Sequence, residues 1–234
     1  MKDQSTINYR ELSLIRGGLL FKFLVHMRLM RPDLEPLYYR AIFLALLTWL
    51  PLLVLSAMRG LALGGSVKIP FLYDITVSVR LLLSLPLLIV AERVVDSRSN
   101  EVIRHFIESG LVDDKDAPKY ESIVRQASKM VNAVPVEGVI AGLVIVNSVF
   151  VRLQFSEISS TWQLVVSSSG MTRTPAGWWN LVVCIPVFQF LLWRWLYRYL
   201  VWCWVLWRVS RLDLHLISTH PDRVGGLAFW AYYR

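Results

Sequence analysis

Residues 41–58 (AIFLALLTWLPLLVLSAM) form eighteen consecutive positions without a charge. An uncharged apolar run of about 18 residues or more is long enough to cross a bilayer as a helix. Three further stretches approach the same pattern, at 71–92, 135–152 and 178–198. Their apolar residues are continuous rather than alternating, which predicts helices and not barrel strands. Hydrocarbon offers backbone amides no hydrogen-bond partner, so the amides must bond within each helix. The pattern therefore predicts an all-α polytopic helical membrane bundle with four transmembrane helices.

The segments between the runs carry a different periodicity. Residues 1–40 include LSLIRGGLLFKFLVHMRLMRP (12–32), apolar but studded with Arg16, Lys22, His26, Arg28 and Arg31. This reads as an amphipathic helix lying in the headgroup layer, with its basic face toward lipid phosphate. Residues 93–134 read as two helices paired in a cytoplasmic hairpin. Val102, Ile103, Phe106 and Ile107 line the first, and Gly110 caps its C-terminus. Asp116 caps the second, Pro118 sits in its first turn, and Ile123, Val124, Ala127, Met130 and Val131 form its stripe. The acids Asp113, Asp114 and Asp116 lack the central Gly and terminal Glu of a calcium loop and read as a solvated cap and turn. The connection 153–177 is rich in Ser and Thr, with one apolar patch from Trp162 to Val166, and reads as a short strand pair or a re-entrant flap.

Composition agrees with this division. Of the 234 residues, 55% are hydrophobic and 18% charged, below the roughly 25% charged content of soluble domains. Mean hydropathy is +0.48. Of the 25 Lys and Arg residues, eighteen lie in 1–40, 93–134 and beyond Trp207, and four lie in 59–70 and 152–177. The positive-inside rule then places both termini and the 93–134 segment in the cytoplasm. The net charge of +8 fits anionic lipid facing the cytoplasmic segments, and nucleic acid is not an expected partner. No cleavable signal peptide precedes the first run, which is expected to act as an uncleaved anchor. Cys184 and Cys203 would stand roughly 28 Å apart on one helix, so free thiols are expected.

Ionisable residues at membrane depth are candidates for function. Arg80 lies about 9 Å along its helix from Asp74 at helical rise, and it leans toward that carboxylate and the outer headgroups. Glu137 opens the third span and reads as interfacial. Arg194 and Arg198 stand one turn apart on the fourth span, and Arg208 falls near the same face. They read either as an interfacial anchor or as a bundle-facing ion-pairing site. Asn147 and Gln189 fall near mid-bilayer and are expected to hydrogen-bond between spans three and four, or to line a polar pathway with Arg194. Pro51, Pro86 and Pro186 are expected to kink their helices and free carbonyls.

The densest polar constellation is RVSRLDLHLISTHPDRVGGL (208–227). Asp213, His215, His220 and Asp222 could bind a metal or relay protons, although their spacing matches no strong zinc signature and no cofactor is specified. The alternative is a capped turn in which Arg223 pairs with Asp213 or with lipid phosphate. The Trp/Arg-rich helix followed by RLDLxLxxTHPDRxGGL resembles a family of uncharacterised bacterial inner-membrane proteins. The resemblance rests on Arg211 to Leu214, Thr219 to Arg223 and Gly225 to Leu227, and it covers about fifty residues. It implies a bacterial inner-membrane location and further hydrophobic segments after Gly-Gly-Leu. The chain is then an N-terminal fragment, with missing helices or a second copy as expected partners.

Three functions follow as expectations. The first is a non-enzymatic membrane protein that handles an anionic solute or ion, or acts in membrane signalling. The second is a membrane-embedded enzyme acting on a lipid or polyprenyl phosphate through Asp213, His215, His220 and Asp222. The third is an interaction scaffold that docks a partner on its cytoplasmic hairpin.

Overall fold

The computed structural model describes residues 37–64, 67–108, 115–154, 161–167 and 170–212. The described residues are mostly helical. Helix α1 is Leu37–Met58. A short 3-10 turn, Phe71–Tyr73, leads into α2, Ile75–Val79, which passes through a π-helical turn, π1 (Arg80–Ser84), into α3, Leu85–Glu108. Helices α4 (Ala117–Val131) and α5 (Val134–Gln154) follow. Strands β1 (Leu164–Ser167) and β2 (Gly170–Arg173) form an antiparallel pair, with Leu164 opposite Arg173 and Ser167 opposite Gly170. Helix α6 (Pro175–Trp179) passes through a second π turn, π2 (Asn180–Cys184), into α7, Ile185–Val209.

Among the described residues, three helical stretches are long and apolar enough to cross a membrane: Ala41–Met58, Ile75–Ile103 and Pro175–Val209. Val134–Phe150 meets that standard jointly with Ala117–Val131. The surface of these helices supports the same reading. Ile42, Leu46, Leu50 and Val54 make one exposed stripe along α1, and Val139, Leu143, Val146 and Phe150 make another on α5. Apolar stripes of this length are not sustained against water, whereas hydrocarbon costs them nothing.

The chain divides into two compact units. Among the described residues one unit holds 37–92 and 134–196. Its core gathers Leu52, Phe71, Leu81, Leu85, Trp162 and Cys184, each essentially inaccessible. Helix α1 stops through a Schellman pair, in which Gly60 N–H donates to Ala57 O and Leu61 N–H to Ser56 O. Gly60 adopts φ +66 there, a left-handed conformation that glycine takes without the Cβ penalty. The 153–177 connection folds inward at its centre. Trp162 is fully buried, stacks edge-on against Phe71 at 5.0 Å between centroids, and donates its backbone N–H to Ile69 O.

The other unit holds 93–133 and 197–212 among the described residues. Its core is Tyr120, Ile123, Val124 and Ala127 of α4 against Val201, Val205 and Val209 of α7, with Val102 and Ile103 of α3 packed on them. Of the stripe read from the sequence, Ile123, Val124 and Ala127 are buried and Val131 packs on them half-buried, whereas Met130 is 41% exposed and lies off the buried face. Tyr120 Oη donates to Ile103 O at 2.9 Å and pins α4 to α3. Two local readings are corrected. The first helix of the predicted hairpin is no separate element, because α3 runs unbroken from Leu85 to Glu108. Asp116 stands at the N-cap of α4, but its carboxylate accepts from Lys119 Nζ at 2.7 Å and caps no backbone amide. The Trp-rich end of α7 finds its cover partly in protein, with Trp202 and Trp204 packed against this core. Gly110, Asp113, Asp114 and the amphipathic 12–32 segment lie outside the described residues.

Candidate functional site

Three helices of the first unit bring charged side chains to one point. Glu92 comes from α3, Glu137 from the first turn of α5, and Arg194 from α7. Arg194 Nη2 lies 3.1 Å from Glu92 Oε1, and Arg194 Nε lies 3.8 Å from Glu137 Oε1. The side chains are only 14%, 21% and 12% exposed respectively for Arg194, Glu92 and Glu137. Removing three charges from water is expensive, and their mutual attraction offsets that cost only while all of them stay paired. Glu137 also sits where the amide dipoles of a helix N-terminus favour a carboxylate. One guanidinium shared by two carboxylates on separate helices can exchange partners.

In this geometry Arg194 is an ion-pairing residue whose side chain faces α3 and α5. Glu137, which opens the third predicted span, is 12% exposed and belongs to this cluster. Glu92 escaped the sequence reading altogether. The available signal was its place as the only carboxylate in LPLLIVAERVV (85–95), at the end of an apolar run where a charge is normally counted as the start of a loop. Arg198, one turn beyond Arg194, lines an apolar cleft of the second unit with Ile103, Val124, Ala127, Val201 and Trp202.

The remaining candidates are placed differently from expectation. Arg80 makes no ion pair with Asp74. Its guanidinium carbon lies 5.9 Å from the Phe188 ring centroid, and its Nε is buried without a hydrogen-bond partner. Asp74 is occupied elsewhere: Oδ1 accepts from Val77 N at 3.2 Å and Oδ2 from Trp162 Nε1 at 3.0 Å. No hydrogen bond joins Asn147 to Gln189 among the described residues. Asn147 is half-buried on α5, and Gln189 Oε1 is buried without a partner. Asn180, 2% exposed, received no role from the sequence; its Nδ2 donates to Gln163 Oε1 at 3.3 Å, and its Oδ1 is buried without a partner. The two cysteines are free, as expected. Asp213, His215, His220, Asp222 and Arg223 lie outside the described residues. Among the described residues no three His, Cys, Asp or Glu side chains converge as a metal site would require. Set against protein families, curated proteins and solved structures, the chain matches none.

Proposed function

We propose that this chain is a polytopic protein of the bacterial inner membrane. In this reading it has four spans, an interfacial helix at the N-terminus and both termini in the cytoplasm, and it handles an ion or a small anionic solute. Helices α1, α2–α3, α5 and α6–α7 are the spans. The apolar stripes on α1 and α5 support their immersion, and the Lys and Arg bias supports the orientation. Under that orientation Glu92, Glu137 and Arg194 stand at the cytoplasmic ends of three spans, and Arg80 stands toward the outer face.

The observation that carries the functional reading is the Glu92–Arg194–Glu137 cluster. Charged groups at membrane depth are costly and rare, and where they persist they serve pathways, relays or switches. A cluster that joins three helices and can exchange partners is suited to hold one state of a pathway and release it to another. No described residue favours the lipid-phosphate enzyme, whose proposed residues follow Leu212.

The test is flux. Purified chain is reconstituted in liposomes, and phosphate and chloride gradients are imposed on wild type, Arg194→Ala and Arg198→Ala. The proposal expects measurable wild-type flux that falls at least about tenfold in Arg194→Ala, a barrier change of about 1.4 kcal/mol. Absence of flux, or flux equal in all three, would overturn it.

A further inference from the structure

Three helices of the second unit leave a cleft between them. Its walls include Ser99 and Ile103 of α3, Val124 and Val131 of α4, and Val201 and Val205 of α7, and Arg198 lines it as well. Two hydrogen bonds fix how the walls run. Tyr120 Oη, near the start of α4, donates to Ile103 O at 2.9 Å. Tyr197 Oη donates to Met130 O, near the end of α4, at 3.0 Å. Helix α4 is therefore antiparallel to both neighbours. Val95, Val131 and Arg198 stand at one end of the cleft, and Ile103, Val124 and Val205 at the other. The second end is closed, with Val124 and Val205 only 6% and 3% exposed. The first is open, with Val95 42% exposed. From Arg198 to Val205 the depth is about 10 Å at helical rise.

The lining defines what the cleft can take. Below Arg198 it is aliphatic apart from Trp202 and the hydroxyls of Ser99 and Ser128. An ordered water needs several polar partners, so water gains little there. Val124, Ala127, Val201 and Val205 belong to one packed cluster, so the slot beside them admits one extended chain. Among the described residues that line the cleft, Arg198 alone is charged, and α7 carries no Asp or Glu from Ile185 to Val209. A guanidinium presents a planar fork of several N–H donors, so it can receive a carboxylate beside another partner. An apolar slot with a cation at its mouth is complementary to a hydrocarbon chain that ends in an anion. Helices α3 and α7 both run on from proposed spans into the cleft, so its open end is the end nearer the bilayer. Arg198 stands about 36 Å along its helix from the Thr174 cap at helical rise. That is beyond a hydrocarbon core about 30 Å thick and within the headgroup layer.

We infer that this cleft is a binding site for a single-chain fatty acid. The carboxylate accepts from Arg198 at the mouth, and the chain runs between α3, α4 and α7 toward Val205. A two-chain phospholipid suits the cleft less well, because its second chain has no slot to enter. The inference rests on the membrane reading above for the source of the ligand, but not on the Arg194 cluster.

The experiment uses the full chain in phosphatidylcholine nanodiscs. The probe is decanoate brominated at its terminal carbon, whose bromine quenches a tryptophan that it touches. Trp202 lines the cleft, so binding is expected as a saturable loss of fluorescence. Unlabelled decanoate should reverse that loss, and decanol, which lacks the charge, should not. Trp202→Phe is expected to lose the saturable component. Arg198→Gln is expected to bind at least tenfold more weakly, whereas Arg125→Gln, which alters an exposed arginine on α4, should bind like wild type. Should Arg198→Gln fail to fold, decanol set against decanoate on the wild type still reads the charge. Saturable quenching that needs Trp202 and prefers decanoate supports the inference. No saturable quenching, quenching that survives in Trp202→Phe, or displacement by decanol as effective as by decanoate overturns it. A folded Arg198→Gln that binds like wild type overturns it as well. Because the readout is static binding, its failure leaves the spans and an Arg194-dependent flux standing, and loss of that flux leaves the binding result standing.

Discussion

Trp162 donates its indole N–H to Asp74 Oδ2 at 3.0 Å across 88 residues of sequence. The same residue offers its carbonyl to Thr174 Oγ1 at 2.7 Å, so one buried side chain and its own backbone hold the caps of both π-turn helices. Trp162→Phe keeps the ring contact with Phe71 and leaves an Asp74 oxygen without its donor. A loss of about 1–3 kcal/mol is expected, against about 3–5 kcal/mol for Trp162→Ala, which also opens a cavity. Unfolding in detergent titrations reads both; equal losses in the two variants would show that the hydrogen bond is idle.

Gly177 has no room for a side chain. A Cβ there would collide with the Gln163 carbonyl oxygen, which is backbone and cannot rotate away. That carbonyl also accepts from Thr174 N. Gly177→Ala is expected to cost about 1–3 kcal/mol by forcing the strand pair off α6. Hydrogen exchange at residues 161–174 should rise, and unchanged protection would contradict the packing described.

In the other unit, Tyr120→Phe removes the hydrogen bond to Ile103 O. A destabilisation of about 1 kcal/mol is expected. Limited proteolysis should then cut the 93–131 region several times faster, while the first unit keeps its resistance. Cleavage rates equal to wild type would show that the pin contributes nothing.

Orientation can be read with single cysteines in a chain lacking Cys184 and Cys203. The charge bias expects a cysteine at Arg125 to be labelled by an impermeant maleimide only in opened vesicles. One at the exposed Thr172 is expected to react in intact cells. The reverse pattern would invert the topology.

Much of this architecture is legible in the chain because a missing charge is a strong signal. The run 41–58 and the helices that carry 71–92 and 178–198 follow from it, as does the stripe Ile123, Val124 and Ala127. What stays hidden depends on partners distant in sequence. Glu92 looks like a loop residue until Arg194 and Glu137 are brought beside it. Trp162 sits among serines and threonines and looks exposed until it fills the space against Phe71. Pro86 and Pro186 announce a broken helix, but a proline can kink, stop or widen a turn. Only the surrounding packing selects the π turn that sets Arg80 and Asn180 at corresponding positions.

The account stands most directly on Arg194 tying Glu92 into one buried cluster. A double-mutant cycle with Glu92→Gln, Arg194→Gln and the pair, unfolded in mixed detergent, measures that tie. Each single change should cost about 3–5 kcal/mol, because it removes one charge of a buried pair. The double variant should cost about 2 kcal/mol or more below the sum of the singles. Additivity within about 0.5 kcal/mol would contradict the account, because the two side chains would then not be partners.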